Sequence, residues 1–178
     1  MAATDLTAQV LRELLDYDPA TGAFTWRPRP LSMFISQRLA DSWNTQHAGK
    51  AAGGQYVGGY LGVTVFRRKH LAHRLAWLHA TGGWPSAQID HRDGCRNNNR
   101  LSNLRDVSPA ENSQNLRKSK RRDGILPLGV RLQPGRASYE ANIRTNGQRT
   151  FLGSFDTPEE AHAAYLSAKR SQHIACTI

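Results

Sequence analysis

The first half of the chain carries hydrophobic side chains at helical spacing in two stretches. Leucine and valine residues fall on one face of the segment 6–16 and predict a short helix there. The same spacing predicts a second helix over 71–80, because Gly82 then stops it and Pro85 prevents its return. Residues 29–55 are rich in Gly, Ser and Ala, and their pattern assigns no element.

Strand signals surround these two helices. Residues 18–27, "DPATGAFTWR", combine turn residues with an aromatic run and predict a hairpin. A further strand ends at Phe66, and a turn at 67–69 leads into the second helix. Two more strands, one ending in "QID" at 90 and one around "LRDV" at 104–107, flank a long polar loop. The order that follows is strand, loop, strand and then helix.

The second half begins and ends with helices that have clear start signals. Ser108 and Thr157 each precede a glutamate by three residues, which is the pattern of a capping box. Between them, residues 139–144 alternate strictly between two faces, as in a half-buried strand. Asn146-Gly147 is a strong signal for a two-residue hairpin, and 148–155 supplies the returning strand.

Composition limits the class of protein. Hydrophobic residues make up 39% of the chain and the mean hydropathy is −0.59, which is typical of a protein with much polar surface. No window approaches the roughly 18 apolar residues that a membrane span needs. The first ten residues lack the layout of a signal peptide, and two cysteines are too few for a disulfide framework. We therefore expect an intracellular protein without a membrane partner.

Charge points to a polyanionic partner. The net charge is +10 and the isoelectric point is near 10.3, a balance most often found in proteins that bind nucleic acid. The excess is uneven, since 42–89 contain five basic residues and no acid, and "RKSKRR" at 117–122 is basic at five of six positions. A solvated surface that serves solubility is the alternative interpretation of this charge. Phosphate contacts are favoured because these runs accompany a polar loop that contains histidine.

That loop lies within "QIDHRDGCRNNNRLSNLRDV", residues 88–107, and its side chains suit phosphodiester hydrolysis. The reaction needs an activated water and a cation at the phosphate oxygens. Asp90 and His91 are adjacent at a strand end and point to opposite sides, so one can hold a metal while the other faces water. Asn112 could return a second oxygen ligand to the metal. Asn103 could hydrogen-bond the imidazole or its neighbouring backbone.

Together these residues resemble the HNH nuclease motif, in particular that of phage homing endonucleases. The shared elements are "DHRDG", "NNN", "NLR" and "EN", and the resemblance covers about 70–115. It implies a ββα-metal fold with one divalent cation, Mg²⁺ or Mn²⁺, bound by Asp90 and Asn112. It also implies that His91 is the general base, that Asn103 orients it, and that products carry 5′-phosphate and 3′-hydroxyl ends. No zinc cluster is expected, since the four-cysteine site of some relatives is absent.

Each residue also has a simpler interpretation. Asp90 could cap a turn, Asn103 could satisfy loop backbone, and at least two of the three asparagines 97–99 are best explained as loop filler. His91 alone would be a surface histidine more often than a base, and the joint spacing favours catalysis. For His73, at the start of a helix, packing or a structural hydrogen bond is favoured over chemistry.

The C-terminal region shows a second resemblance. Residues 129–170 are similar to the apetala-type (ethylene-response-factor) DNA-binding domain, through "GVR", "YEANIR", "LGSF", "TPEEA" and "AAY". That family packs three strands on a helix and contacts the major groove with the exposed sheet face. Plant members have tryptophans at two positions, one of which is a phenylalanine here. The resemblance implies these DNA-contacting residues: Arg131, Asn142, Arg144, Arg149 and Phe151. For any one arginine, contact with phosphate alone is the alternative to pairing with guanine.

The predicted fold is α+β, with a ββα-metal (HNH) nuclease domain followed by a small three-stranded antiparallel sheet plus helix. The N-terminal region of helix and hairpin, over 1–55, has an unclear role. It is followed by the nuclease domain over 56–117, a basic linker over 118–128 and the apetala-type domain over 129–178. The basic run would contact phosphates through Arg117, Lys118, Lys120, Arg121 and Arg122.

The predicted function is a metal-dependent DNA endonuclease that nicks or cuts double-stranded DNA. A DNA-binding regulator that keeps a relic nuclease fold is the main alternative, and a structural RNA-binding protein is a more distant one. The recognition sequence, the oligomeric state and the choice between nick and double-strand break are not given by the sequence.

Overall fold

A computed structural model describes residues 6–114, 126–145 and 147–173 of the chain. The chain forms two compact units, 1–107 and 108–178. Helices and small antiparallel sheets occur in both, which confirms the mixed class that the sequence predicts. The predicted boundaries at 55, 117 and 128 stay predictions, because most of 118–128 lies outside the described residues. Among the described residues, no helix has the length and apolar character needed to cross a membrane.

The first unit contains three helices and seven strands within its described part. The predicted helix over 71–80 and the two strands around the polar loop are confirmed. A helix is also present within 6–16, but it ends at Leu14, and the residues after it form the first strand of the hairpin that was predicted within 18–27. The elements are α1 (Ala8–Leu14), β1 (Leu15–Tyr17), β2 (Phe24–Trp26), a 3-10 helix (Leu31–Met33), α2 (Gln37–His47), β3 (Gly54–Gln55), a 3-10 turn (Val57–Gly59), β4 (Leu61–Val65), β5 (Arg68–Leu71), α3 (Ala72–Thr81), β6 (Gln88–His91), a 3-10 turn (Leu101–Asn103) and β7 (Leu104–Val107).

One hydrophobic core holds this unit together. Leu11 and Leu14 of α1 pack against the buried face of α3, where Leu75 and Leu78 are almost fully excluded from solvent. The same core continues to Ile89 of β6, so it reaches the strand that carries the polar loop. Burying each leucine contributes about 1.5–3 kcal/mol to the free energy of unfolding. The helix at the start of the chain is therefore part of the core beneath the loop.

The segment that the sequence left unassigned contains α2. This helix has little apolar surface, and its buried residue is Ala40. Tertiary contacts hold it in place: the amide of Asn44 bonds both backbone groups of Arg29, and the ring of Trp43 packs edge-on against Trp26. The guanidinium of Arg29 lies 3.9 Å from the centre of the Trp43 ring, which adds a cation–π contact.

The connection between β4 and β5 differs from the prediction. A turn at 67–69 was expected, but Val65 pairs with Arg68 and leaves only Phe66 and Arg67 in the loop. Both have left-handed backbone angles, with φ of 48° and 63°. Such angles suit a tight hairpin turn but cost about 1–2 kcal/mol for each residue that has a side chain. The sequence contains no glycine or asparagine there, so nothing in it fixed the exact position of the predicted turn.

The second unit contains α4 (Pro109–Gln114), β8 (Val130–Leu132), β9 (Tyr139–Thr145), β10 (Gln148–Phe155) and α5 (Pro158–Gln172). The three strands form one antiparallel sheet with β9 in the centre. The predicted hairpin is confirmed, since Thr145 pairs with Gln148 across a two-residue connection. Both capping boxes are also present, at Ser108 and at Thr157.

Helix α5 covers one face of this sheet. Ala141 and Ile143 point from β9 toward Ala161 and Tyr165 of the helix and are fully or almost fully buried. Gly129 lies directly against the ring of Tyr165, where a Cβ would be 2.1 Å from a ring carbon, so no other residue fits there. The opposite face of the sheet carries polar and charged side chains together with the exposed Phe151.

Candidate active site

The β6–β7 hairpin positions the Asp90-His91 pair. Asp90 is opposite Arg105 and His91 is opposite Leu104 in the antiparallel register. Ile89, the preceding residue on β6, packs into the core and anchors the strand. Asp90 and His91 are both buried side chains in the first unit. Burial of two ionisable groups at a strand end requires polar partners, which neighbouring residues supply.

Arg105 holds the carboxylate of Asp90. Its Nε and Nη2 donate to Oδ2 of Asp90 at 2.9 and 2.6 Å, and both side chains are largely buried. Removing one member of a buried ion pair costs about 3–5 kcal/mol, because it leaves an uncompensated charge. Arg105 therefore orients the carboxylate and balances its charge. Sequence reasoning missed this residue, although the predicted hairpin would place it across from Asp90.

Asn99 contacts the imidazole of His91. Its Oδ1 lies 3.1 Å from Nε2, and Asn99 is only 1% exposed. An amide oxygen can only accept, so Nε2 carries the proton that is donated, and the lone pair of the neutral ring is on Nδ1. This contact selects the tautomer and orients the ring. Asn99 belongs to the 97–99 segment, of which at least two members were expected to be filler.

Asn103 organises the loop that follows His91. Its Oδ1 accepts from the backbone N–H of Asp93 at 3.0 Å, and its Nδ2 donates to the Asp93 carboxylate at 2.9 Å and to the Asn98 carbonyl at 2.8 Å. Of the two contacts predicted as alternatives for Asn103, with the imidazole or with its neighbouring backbone, the bond to the Asp93 N–H is the one to backbone, two residues after His91. Its predicted role in orienting the imidazole stays a prediction, and the ring contact described above comes from Asn99.

The N-terminal hairpin supports the segment that carries Asn99. The hydroxyl of Tyr17 donates to the Asn99 carbonyl at 2.7 Å, and the N–H of Leu101 donates to the Pro19 carbonyl at 3.1 Å. Gly22, with φ of 78°, lies so close that a Cβ there would be 2.5 Å from the carbonyl carbon of Asn99. The region whose role the sequence left unclear thus contacts the loop of the candidate active site.

His73 and Tyr60 complete the surroundings of His91. The ring of His73 meets the ring of His91 edge-on at 5.1 Å, and the ring of Tyr60 lies 5.2 Å from His73 and 6.1 Å from His91. Burial, together with repulsion from His91 and Arg74, lowers the pKa of His73 to about 4. His73 is therefore neutral at pH 7. Its buried Nδ1 makes no hydrogen bond within the described part of the chain.

The second unit carries the remaining predicted site residues. Asn112 lies on α4, and its predicted role as a metal ligand stays a prediction. Arg144 is opposite Arg149 and Asn142 is opposite Phe151, so all four share the sheet face away from α5. Arg131 is opposite Glu140 on this same face.

Side-chain contacts fix part of this face. The Nε of Arg149 donates to Oδ1 of Asn142 at 2.9 Å, and its Nη2 is 3.8 Å from Glu140. The sheet face therefore brings together the five residues predicted to contact DNA in this unit. The five predicted residues of the basic run, Arg117, Lys118, Lys120, Arg121 and Arg122, lie outside the described residues.

The donor set can be compared with the needs of a metal ion. Within 6–114, 126–145 and 147–173, no group of three or more His, Cys, Asp or Glu side chains is placed to hold an ion. The predicted site has one carboxylate, Asp90, and one amide, Asn112, so it contains fewer than three side chains of these four types. Carboxylate and amide oxygens are hard donors, which suit Mg²⁺ or Mn²⁺ that keep several waters.

Comparison with known proteins gives one match. Residues 70–114 match a family model described as HNH endonuclease. No curated protein and no solved structure matches the chain. The matched segment runs from β5 to α4 and contains Asp90, His91, Asn99 and Asn103. The match supports an HNH nuclease, with a DNA substrate and the divalent metal ion that these nucleases generally use.

Proposed function

We propose that the chain is a metal-dependent endonuclease that hydrolyses phosphodiester bonds in double-stranded DNA. The observation that carries the proposal is the Asp90-His91 pair inside the matched segment, with an ion-paired carboxylate on one residue and an amide-oriented imidazole on the other. Because any buried histidine needs a hydrogen-bond partner, it is the position of this pair within the matched segment that favours catalysis over packing.

His91 acts as the general base in this proposal. Since Asn99 Oδ1 accepts the Nε2 proton, Nδ1 is the nitrogen able to accept a proton from the attacking water. After that transfer the ring is cationic, and the Asn99 oxygen stabilises it through the same contact. The neutral state of His73 favours this step, because a second positive charge 5.1 Å away would oppose it.

Asp90 and Asn112 would hold the cation. A bound Mg²⁺ or Mn²⁺ would supply positive charge at the phosphate oxygens and at the leaving oxygen. Arg105 keeps the carboxylate of Asp90 in one orientation by bonding Oδ2. The same ion pair balances the negative charge of a carboxylate that is buried at the strand end.

The second unit supplies DNA affinity in this proposal. Its sheet face presents Arg131, Arg144 and Arg149 beside an exposed Phe151 and away from α5. We propose that this face has the apetala-type role of contacting the major groove, where arginine pairs with guanine. Tethering it to the nuclease raises the local DNA concentration, to about the millimolar range for a short linker. A phage or homing endonuclease would have this organisation.

The test is incubation of supercoiled plasmid with the full chain in Mg²⁺, in Mn²⁺ and in EDTA. We expect relaxed or linear plasmid with either metal and neither product in EDTA. His91→Ala should reduce cleavage by about 10²-fold or more while plasmid binding in a gel shift is retained. A protein that shifts the plasmid but cuts it with neither metal is the DNA-binding regulator, and cleavage that persists in His91→Ala excludes His91 as the base.

A further inference from the structure

The two-residue loop between β4 and β5, here called the β4–β5 tip, consists of Phe66 and Arg67. Both residues have left-handed backbone angles, φ of 48° and 63°. Two-residue hairpin loops with two such angles strongly prefer Asn-Gly, because that pair adopts them with little steric conflict. Phenylalanine and arginine are therefore unfavourable choices for the turn itself.

Packing does not account for Phe66 either. Its side chain is 47% exposed at the end of the hairpin, so it gains only part of the burial that an aromatic ring gives in a core. A residue that strains the backbone and stays exposed contributes little to folding. Strained residues of this kind concentrate at functional sites, where the surrounding structure holds them.

The chain segment that carries the tip has basic residues and no acidic ones. Arg67, Arg68 and Lys69 follow Phe66, and the sequence has no acidic residue anywhere in 42–89. Within the described part of the chain, neither Arg67 nor Arg68 forms an ion pair. Lys69 lies over the ring of Tyr56, 4.4 Å from its centre. An exposed aromatic ring flanked by unneutralised cations is complementary to a nucleic acid, which offers base stacks and phosphates together.

The tip also lies at a suitable distance from the active site. Strand β4 starts beside Tyr60, whose ring is 6.1 Å from the ring of His91, and runs from Leu61 to Val65. At about 3.4 Å per residue, Phe66 lies roughly 20 Å along the strand from Tyr60. With a rise of about 3.4 Å per base pair, that distance corresponds to about six steps along one duplex.

We propose that the β4–β5 tip is a DNA wedge: Phe66 enters between two base pairs from the minor groove, and Arg67 and Arg68 contact the flanking phosphates. This rests on the proposed function, since it takes duplex DNA as the ligand. Apolar side chains inserted in this way unstack a base step and kink the duplex. The kink would present the phosphodiester backbone to His91 at a point several base pairs from the unstacked step.

Unwinding of plasmid DNA tests the wedge without requiring a recognition sequence. Closed circular plasmid is relaxed by a metal-independent topoisomerase in EDTA, with increasing amounts of the full chain, and the protein is then removed. Insertion between base pairs unwinds the duplex, so the wild-type chain should lower the linking number in proportion to the bound protein. Phe66→Ala should lose most of this shift and weaken binding about tenfold or more.

A double variant separates the wedge from a structural turn. Phe66→Asn with Arg67→Gly creates the favoured turn sequence, so its Tm should rise, yet its unwinding should disappear. Ile35→Ala is the control, because it removes an apolar side chain that is 93% exposed elsewhere in the same unit. It should unwind DNA like the wild type.

The outcomes separate the two proposals. If the wild-type chain cuts plasmid with metal but leaves the linking number unchanged in EDTA, the wedge is refuted and the nuclease stands. Unwinding by the double variant equal to that of the wild type also refutes it. Unwinding that depends on Phe66, in a protein that cuts with neither metal, supports the wedge and refutes the nuclease.

Discussion

Replacing Gly22 by alanine should disturb the active site from the N-terminal hairpin. Gly22 has φ of 78°, and a Cβ at this position would lie 2.5 Å from the carbonyl carbon of Asn99, 2.6 Å from the backbone nitrogen of Arg100 and 2.9 Å from the Asn99 carbonyl oxygen. These neighbours are backbone atoms, so no side-chain rotation can relieve the overlap. The Asn99 segment itself must move, and Asn99 holds the imidazole of His91.

The size of the effect follows from this geometry. Ordinary van der Waals contact begins near 3.4 Å, so the two segments must separate by about 1 Å. The left-handed angle costs alanine about 1–2 kcal/mol, and overpacking adds about 1–3 kcal/mol, for a total loss of roughly 2–5 kcal/mol in the free energy of unfolding. A displacement of about 1 Å at a catalytic residue lowers the rate by about 10²-fold.

Gly49→Ala is the matched control. Gly49 has φ of 76°, nearly the same as Gly22, but nothing lies within 4 Å of its Cβ position. It should therefore lose only the roughly 1–2 kcal/mol that the backbone angle costs, with no loss of cleavage rate. The difference between the two variants isolates the contact with the Asn99 segment from the strain of the left-handed conformation.

Two measurements on both variants complete the comparison. Urea denaturation gives the free energy of unfolding, and the plasmid cleavage rate is measured with enzyme in excess, at a temperature where both variants are folded. Because Gly22 acts on Asn99 rather than on DNA, the rate should fall while plasmid affinity stays unchanged.

Tyr17→Phe, which removes the hydroxyl that donates to the Asn99 carbonyl, should lower the rate in the same direction with a smaller loss of stability, about 1 kcal/mol. Equal cleavage rates for Gly22→Ala and Gly49→Ala would refute support of the active site by the hairpin.

Two further predictions concern pH and salt. Since burial and nearby cations lower the pKa of His73 to about 4, the unfolded chain binds an extra proton between pH 4 and 6.5. Stability should thus fall by roughly 3 kcal/mol as the pH drops through that window, and urea titrations of His73→Gln should lack this part of the loss; identical pH profiles would contradict it. Replacing the five basic residues of 117–122 should weaken binding to all DNA sequences and flatten the slope of log affinity against log salt by up to about 4 units, whereas an unchanged slope would exclude phosphate contacts there.

Local sequence signals predicted the elements whose stability is also local. Helix α3 has an apolar face and a glycine stop, and it ends at Gly82 in a left-handed conformation, as that signal indicates. Helix α2 was missed because the contacts that hold it in place involve residues outside the helix. Trp43 packs on Trp26, and Asn44 bonds the backbone of Arg29. Contacts of this kind produce no hydrophobic periodicity in the sequence of a helix that is mostly exposed.

At the candidate site, the spacing of residues along the chain does not decide which asparagine contacts the His91 ring. The motif places Asn99 and Asn103 at similar distances from His91 along the chain, and both are buried amides. The path of the loop decides between them: turns over 91–94 and 95–98 precede Asn99, which contacts the ring, while Asn103 faces the backbone of Asp93. Arg105 could have been found, because antiparallel pairing of the two predicted strands places it opposite Asp90.

The match to the nuclease family begins at residue 70, yet part of what holds the site lies earlier in the chain. A segment of about 45 residues is too short to bury a stable core by itself. In this chain Leu11 and Leu14 supply the apolar surface beneath α3, and Tyr17 and Gly22 contact the segment that orients His91. The N-terminal region is therefore not an appendage to a complete catalytic motif. Its hairpin contacts the segment of Asn99, whose amide oxygen accepts from the His91 ring, so we expect mutations before residue 55 to lower the cleavage rate without touching DNA.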